Sequence, residues 1–512
     1  MIIYTKKDAA IIIPCGLGPS VCPDVSHELQ TKTVDSSTVL QQVEPDSGYD
    51  GLSRVTVNPY TVESDSSTLT ANGTYTFTPT NADALSSVTV DVSVSNWILE
   101  VRAGRLSDIS GYSIAELVKT DNGAPGLFMF CNSITNLPRI QDPVDNPNGD
   151  VAYNALHRAF FSCSNLQNVD ISLGSIGAYG MKLCFGYSGV RDASIYIGAI
   201  NSSALTEGFR SCSNLQNLYI KLGPEAGVVG ENTFGNICNG ASTIMGNDNN
   251  TTITIEGLRE VGDTALNSAF YEMHMYNSGR VTINLPDNLS TVRGKDTQYA
   301  FGYMCESSHL TGRTTPSFFG KLDYISGNRN CAYAFTYSDV ETATIGFNTC
   351  SGGYNFEKAF EYCYDLKTVT FDGTFDIAGI LNFSGTFHDC TSLTSMICTS
   401  TAGTKPFHRY EGLGGNNVAS SAPYITDVTI DNVNSDVYLL WNPSVNAASV
   451  YGILSKAAGA TVQEGDARKI EFYSSGLTVK DYEDGRIQTA YNAAVADGWT
   501  INNLTILPYS NS

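Results

Sequence analysis

Residues 159–171 read Ala-Phe-Phe-Ser-Cys-Ser-Asn-Leu-Gln-Asn-Val-Asp-Ile, and residues 208–220 read Gly-Phe-Arg-Ser-Cys-Ser-Asn-Leu-Gln-Asn-Leu-Tyr-Ile. The shared frame is Phe160, Cys163, Leu166, Val169 and Ile171 in the first, and Phe209, Cys212, Leu215, Leu218 and Ile220 in the second. Two further copies keep the same spacing: Phe360, Cys363, Leu366, Val369, Phe371, then Phe387, Cys390, Leu393, Met396, Cys398. Looser copies begin at Phe128, Phe234, Phe270, Phe301 and Phe335. One more is anchored on Cys184 and runs through Tyr187, Val190, Ala193 and Ile195. Its text, YSGVRDASI, matches YSDVETATI just after Phe335. A unit repeated at this scale is the signature of a stacked array.

The unit can be read physically. Phe and Cys three residues apart fit one short helical turn that buries both. The Leu-x-x-Val-x-Ile ending shifts to period-2 alternation, a short strand. One unit cannot bury its own apolar edge, so units stack into a parallel sheet with one strand each. Cys serves as a small filler of the turn. The variable strand positions then point outward: Gln167, Asn168 and Asp170; Gln216, Asn217 and Tyr219; Lys367, Thr368 and Thr370; Thr394, Ser395 and Ile397. Stacked, they form a polar strip suited to many weak contacts with a glycan or a protein. Insertions such as Gly240 to Asn250 interrupt the array.

Outside the array the chain divides further. Residues 1–30 form an N-terminal segment. Residues 31–97 contain one unit written twice. Ser36-Ser37-Thr38-Val39 leads to Val55-Thr56-Val57, and Ser66-Ser67-Thr68-Leu69 leads to Val88-Thr89-Val90. Asn72-Gly73 before Thr74–Thr78 reads as a turn entering a strand. Two tandem small β modules are expected there. Residues 98–124 link to the solenoid at 125–400, and residues 401–512 read as a small α/β cap. In that cap, Val450–Leu454, Lys469–Phe472 and Ala490 with Gly498-Trp499-Thr500 alternate as helix, strand and helix.

Composition narrows function. Among 512 residues, Lys plus Arg is 29 and Asp plus Glu is 51, for a net charge of −22. That balance argues against nucleic acid or an anionic membrane as partner, since both attract Lys and Arg. No stretch reaches the length of a membrane span. The N-terminal Ile11-Ile12-Ile13 run before Pro14-Cys15 is too short for a secretion signal. The 13 cysteines are odd in number and contain no CxxC pair. Most are expected to be free, as in a protein folded in a reducing compartment.

Catalytic motifs are absent: no GxGxxG, P-loop, HExxH or GxSxG. His388 near Cys390 resembles a nucleophile pair, but Cys390 holds a buried repeat position, and buried structural thiols are inert. Asp142, Asp145, Asn146, Asn148 and Asp150 could supply oxygens to a cation, yet they lack EF-hand spacing and read as a polar turn. Gly246–Asn250 is read the same way. No catalytic residue, metal ligand or cofactor is assigned.

The repeat resembles the BspA-like leucine-rich repeats of bacterial surface proteins and some phage proteins. The duplicated module, with its DSGYDGLSRVTVN phrase, resembles small β modules in virion proteins of tailed phages of gut bacteria. The resemblance implies a β-rich multidomain chain: small N-terminal β modules, a leucine-rich-repeat solenoid and a small α/β C-terminal cap. It implies a non-enzymatic virion structural protein, a fibre, appendage or decoration of tail or head that adheres to the host surface. Such a protein assembles in the host cytoplasm. Its N-terminal region would bind other virion proteins, its repeats a host glycan or protein, and a homotrimer is the first expectation. A bacterial BspA-like adhesin and a phage glycan depolymerase are the alternatives.

Overall fold

The computed structural model describes residues 146–241, 249–291, 297–378, 383–407, 425–440, 444–461, 467–473 and 475–509. It also describes short strands before residue 97 and isolated positions between 118 and 140. The strands Gly73–Pro79 and Val88–Val92 run antiparallel where the sequence places strands. Apart from such short pieces, the expected tandem modules and the linker, together with the copy at Phe128 with Cys131, lie outside the described residues. The described chain is β-rich with few helices. It falls into two units, residues 1–247 and 248–512. The division lies within the insertion from Gly240 to Asn250.

Unit 1 holds three parallel strands: β1 (Asn168–Ile176), β2 (Asp192–Ile200) and β3 (Asn217–Leu222). Their register is the repeat alignment itself. Val169 faces Ala193, which faces Leu218; Ile171 faces Ile195, which faces Ile220. Unit 2 opens with β4 (Thr251–Glu256) parallel to β5 (Val281–Asn284). A longer sheet follows: β6 (Leu322–Ile325), β7 (Thr342–Ser351), β8 (Thr368–Asp372), β9 (Ser395–Cys398) and β10 (Asp427–Ile430). All its neighbours are parallel, with Ala343, Val369, Met396 and Val428 in one row. Parallel strands need a crossover between them, and the rest of each repeat provides it.

That crossover is not the helical turn that the Phe-x-x-Cys spacing predicts. From 152 to 163 the backbone forms a ribbon of successive turns. The amides of Ala155, Ala159 and Cys163 bond to the carbonyl three residues back. Those of Asn154, Leu156, Arg158, Phe160 and Ser162 bond instead to carbonyls of the next coil, at Ala178, Gly180, Lys182, Cys184 and Gly186. Every fourth residue is left-handed: Asn154, Arg158 and Ser162, then Tyr179, Leu183 and Tyr187, then Ser203, Glu207 and Ser211. Unit 2 repeats the pattern at Arg329, Tyr333 and Tyr337. A left-handed non-glycine residue costs about 1–2 kcal/mol. The five inter-coil hydrogen bonds of the 152–163 coil, each worth about 1 kcal/mol net, offset its three such residues.

Inside the coils the Phe rings stack. Phe160 lies 5.6 Å from Phe185, and Phe185 lies 5.1 Å from Phe209. In unit 2 Phe335, Phe360 and Phe387 stack at 5.1 and 5.9 Å. The predicted core residues Phe160, Cys163, Leu166, Phe209, Cys212, Leu215, Phe360, Cys363, Leu366, Phe387, Cys390 and Leu393 are all buried. Three anchors are corrected: Cys238 and Cys305 hold the Phe position one turn after the predicted Phe234 and Phe301, and the third lies in unit 1. In the second coil of unit 1, Phe185 and not Cys184 takes the Phe position, and Ser188 takes that of Cys. A coil one residue shorter between this anchor and Val190 hid the match.

The Cys position is polar as well as small. The thiols of Cys212, Cys363 and Cys390 each donate to the Phe carbonyl of the coil before, at Phe185, Phe335 and Phe360, all at 3.0 Å. Ser308 does the same to the Phe270 carbonyl at 2.5 Å. Ser188 and Ser338 lie 3.6 Å from the sulfurs of Cys212 and Cys363. In these coils the position holds a small side chain that can donate, whereas Ala241 and Met273 fill it in two others.

The C-terminal part of unit 2 replaces ribbons with helices. Strands β11 (Val437–Tyr438), β12 (Lys469–Glu471), β13 (Leu477–Lys480), β14 (Thr500–Asn502) and β15 (Leu504–Leu507) alternate with α1 (Ala447–Ala457) and α2 (Arg486–Ala496). β11, β12 and β14 pair in parallel, as do β13 and β15. Asn446 caps α1, its side-chain oxygen accepting from the Ser449 amide at 2.8 Å. The Ser449 hydroxyl in turn accepts from the Val428 amide of β10 at 2.8 Å. The helix is thereby wired to the last strand of the long sheet.

Candidate functional site

The outward face of the parallel sheet is the surface the sequence predicts. In unit 1, Gln167, Asn168, Asp170 and Asn217 are exposed, and Gln216 and Tyr219 are half-buried. Asn168, Asp192 and Asn217 form one cross-strand row; Asp170, Ser194 and Tyr219 form the next. The predicted residues of β1 and β3 are thus two strands apart, about 10 Å. Asp192, Ser194 and Tyr196 of β2 lie between them and were missed. The Asn217 amide donates to Asp192 at 2.7 Å, and Arg191 bonds the same carboxylate at 2.7 Å. The Asn217 hydrogen bond, with help from Arg191, holds that carboxyl below its ordinary range.

In unit 2 the predicted residues are direct neighbours. Thr368 faces Ser395, and Thr370 faces Ile397. Lys367 and Thr394 are exposed; Thr368, Thr370, Ser395 and Ile397 are half-buried. Lys367 is engaged already, with Nζ 3.0 Å from Glu341. Arg313 binds Glu341 and Asp365, and Arg280 binds Asp339 at 2.5 Å. This network clasps successive coils. It leaves the threonines as the freer part of the strip.

A second surface lies on the ribbons. Tyr303 and Tyr333 stack at 4.7 Å, as do Tyr337 and Tyr362. Tyr153, Tyr179, Tyr187, Tyr337 and Tyr364 are exposed. Several of these tyrosines sit at the left-handed positions, so a period of four in the sequence was the available signal. Glu306 lies among them, near Glu272 and Glu361. Burial, and then the charges of those two glutamates, raise its carboxyl to about 7. Burial and then the Glu272 and Glu306 carboxylates lift Tyr271 to about 12, and burial and then the neighbouring Tyr333 and Tyr299 lift Tyr303 to about 12.

The remaining sequence candidates resolve simply. His388 Nδ1 lies 3.5 Å from both Glu361 and Asp389, and its ring meets Tyr362 edge-on. Cys390 is fully buried and donates to Phe360, so the pair is no nucleophile and base. Burial pushes the Cys212, Cys350 and Cys363 thiols up to about 12. In the acidic turn, buried Asn146 accepts from the Asp150 amide at 2.9 Å and donates to its carbonyl at 2.9 Å. Asn146 therefore closes the turn itself. Asp142 and Asp145 lie outside the described residues. Among the described residues no group of three or more His, Cys, Asp or Glu could hold a metal ion. No described helix is long and apolar enough to cross a membrane. Compared with known proteins, the chain matches no family model, no curated protein and no solved structure.

Proposed function

We propose that this chain is a non-enzymatic structural protein of a tailed-phage particle that presents its repeat surface to a host cell. The observation that carries the recognition part is the register of the sheet. Asn168, Asp192 and Asn217 in unit 1, and Thr342, Thr368, Ser395 and Asp427 in unit 2, stand in fixed cross-strand rows. A periodic polar face on a rigid scaffold favours many weak contacts that add. The ten described cysteines are all free and buried, which accords with assembly in a reducing cytosol before release. The phage context rests on the resemblance of the repeats and the duplicated module. Peptide mapping of purified particles tests it, and the chain is expected among the particle proteins. Its absence from them, or failure of fluorescently labelled protein to bind host cells, sinks this reading.

One observation favours a second reading, glycan cleavage. Burial, and then the charges of Glu272 and Glu361, raise the Glu306 carboxyl to about 7, the direction a general acid needs. Host capsule incubated with the protein releases oligosaccharide under that reading, and Glu306→Gln abolishes the release. Under the favoured reading no product forms.

A further inference from the structure

Unit 1 carries a shallow groove at one end of its sheet, of about 650 Å³, within the range of small-molecule sites. Glycines form its floor. Gly174 and Gly198 line it, and a Cβ at Gly198 would stand 2.4 Å from the Gly174 carbonyl oxygen. Tyr196, 41 % exposed, lies down over this floor; its hydroxyl is 3.2 Å from where a Cβ would stand on Gly223. Asp150 and Glu225 line the groove with Asn148 and Ser172, and Pro147 and Pro224 add apolar walls.

The chemistry selects an occupant. β1 pairs β2 through Ile200 and β3 pairs it through Ile197, which leaves an extended peptide only the short edge from Gly198 to Ile200. No deep apolar pocket offers a side-chain anchor. What remains is a flat aromatic ring beside carboxylate, amide and hydroxyl groups. That set matches a pyranose: its C–H face lies on the ring, and its hydroxyls donate to Glu225, while Asp150 is already engaged by Ser175 at 2.6 Å and Asn148 at 3.4 Å. No Lys or Arg lines the groove; Lys221 stands beside Tyr196 in the sheet but outside the lining. Two carboxylates without a lining cation disfavour uronic and sialic acids.

We infer that the Tyr196 groove binds a neutral pyranose unit of a surface glycan. The inference deepens the host-recognition reading and rests on it. Full-length protein would be titrated calorimetrically with mannohexaose, maltohexaose, tetra-N-acetylchitotetraose and tetragalacturonate. At least one neutral probe is expected to bind, about tenfold more weakly to Tyr196→Ala. Tyr196→Trp and Glu225→Gln separate ring from charge: the first should keep binding, the second weaken it several-fold. Tyr337→Ala in unit 2 is the control and should bind as the parent does. Unchanged thermal unfolding of each variant confirms that the exposed side chains, and not folding, are being read. No neutral binding at 10 mM probe, equal binding by Tyr196→Ala, or equal binding of tetragalacturonate overturns the inference. Cell binding by the same variants separates the two ideas. If all variants adhere equally and no probe binds, the groove is not the site and the recognition reading stands. If probes bind but cells do not, the reverse holds.

Discussion

The ribbon coils around Phe335, Phe360 and Phe387 and the helical coils at 447–496 solve one problem in opposite ways. Both return the chain between parallel strands. The ribbons spend alternate amides on the next coil and hold left-handed residues to do so. The helices satisfy their amides internally, within 11 residues each. A ribbon without a neighbour would therefore leave about half its amides unpaired, whereas a helix loses little. This explains why helices, and not ribbons, follow the last strand of the long sheet. Stability in the ribbon part is a property of neighbours; in the helical part it is more nearly local.

The largest test removes a neighbour contact. Phe360→Ala, between two stacked rings, should cost about 3–5 kcal/mol in denaturant unfolding. A smaller loss would mean that the coils are less interdependent than the stack implies. Cys363→Ala should cost about 1–2 kcal/mol, from lost volume and a carbonyl left without its thiol donor. Cys363→Ser should stay within about 1 kcal/mol of the parent, because Ser188 and Ser338 already hold that position. Equal effects of Ala and Ser would remove the donor from the argument.

Glycine sharpens the contrast by sign. Ala493→Gly on the exposed side of α2 should destabilise by about 1 kcal/mol. Ser162→Gly, at a φ of 55°, should be neutral or stabilising by up to about 1 kcal/mol. Loss of stability in both would contradict the left-handed ribbon.

The remaining expected effect is electrostatic. The folded-state pKa of Glu306, about 7, exceeds its ordinary 4.5, so ionisation opposes folding. Stability from this group is fully present below about 4.5 and is lost as pH rises through about 7. Unfolding midpoints across that window should fall in the parent and fall less in Glu306→Gln. Parallel curves for the two would exclude Glu306 as the source. The helical coils have no such group among the described residues.

Much of the sheet was legible because burial forces periodicity. Val169, Leu218, Val369 and Met396 had to face one core, and their spacing set the register two coils at a time. The ribbon was not legible. Phe160 and Cys163 sit three apart in either a helix or a four-residue turn, and over three turns the two periods drift by little more than one residue. The left-handed sites carry Tyr, Arg, Leu and Glu, not the Gly that would announce them. Phe185 was missed because its coil is one residue shorter before Val190. The outward placement of Asn168, Asp170, Asn217, Thr368 and Ser395 was legible from alternation alone. Tyr196 and its glycine floor were not, since a groove depends on what neighbouring strands lack.

The Cys rung has one more consequence. A sulfur that donates to a carbonyl inside a dry stack is seldom a thiolate, and the thiolate is the form that reacts. Such a protein can carry reduced sulfur from a reducing medium into an oxidising one with no disulfide exchange. The ten described cysteines behave as weakly polar packing atoms.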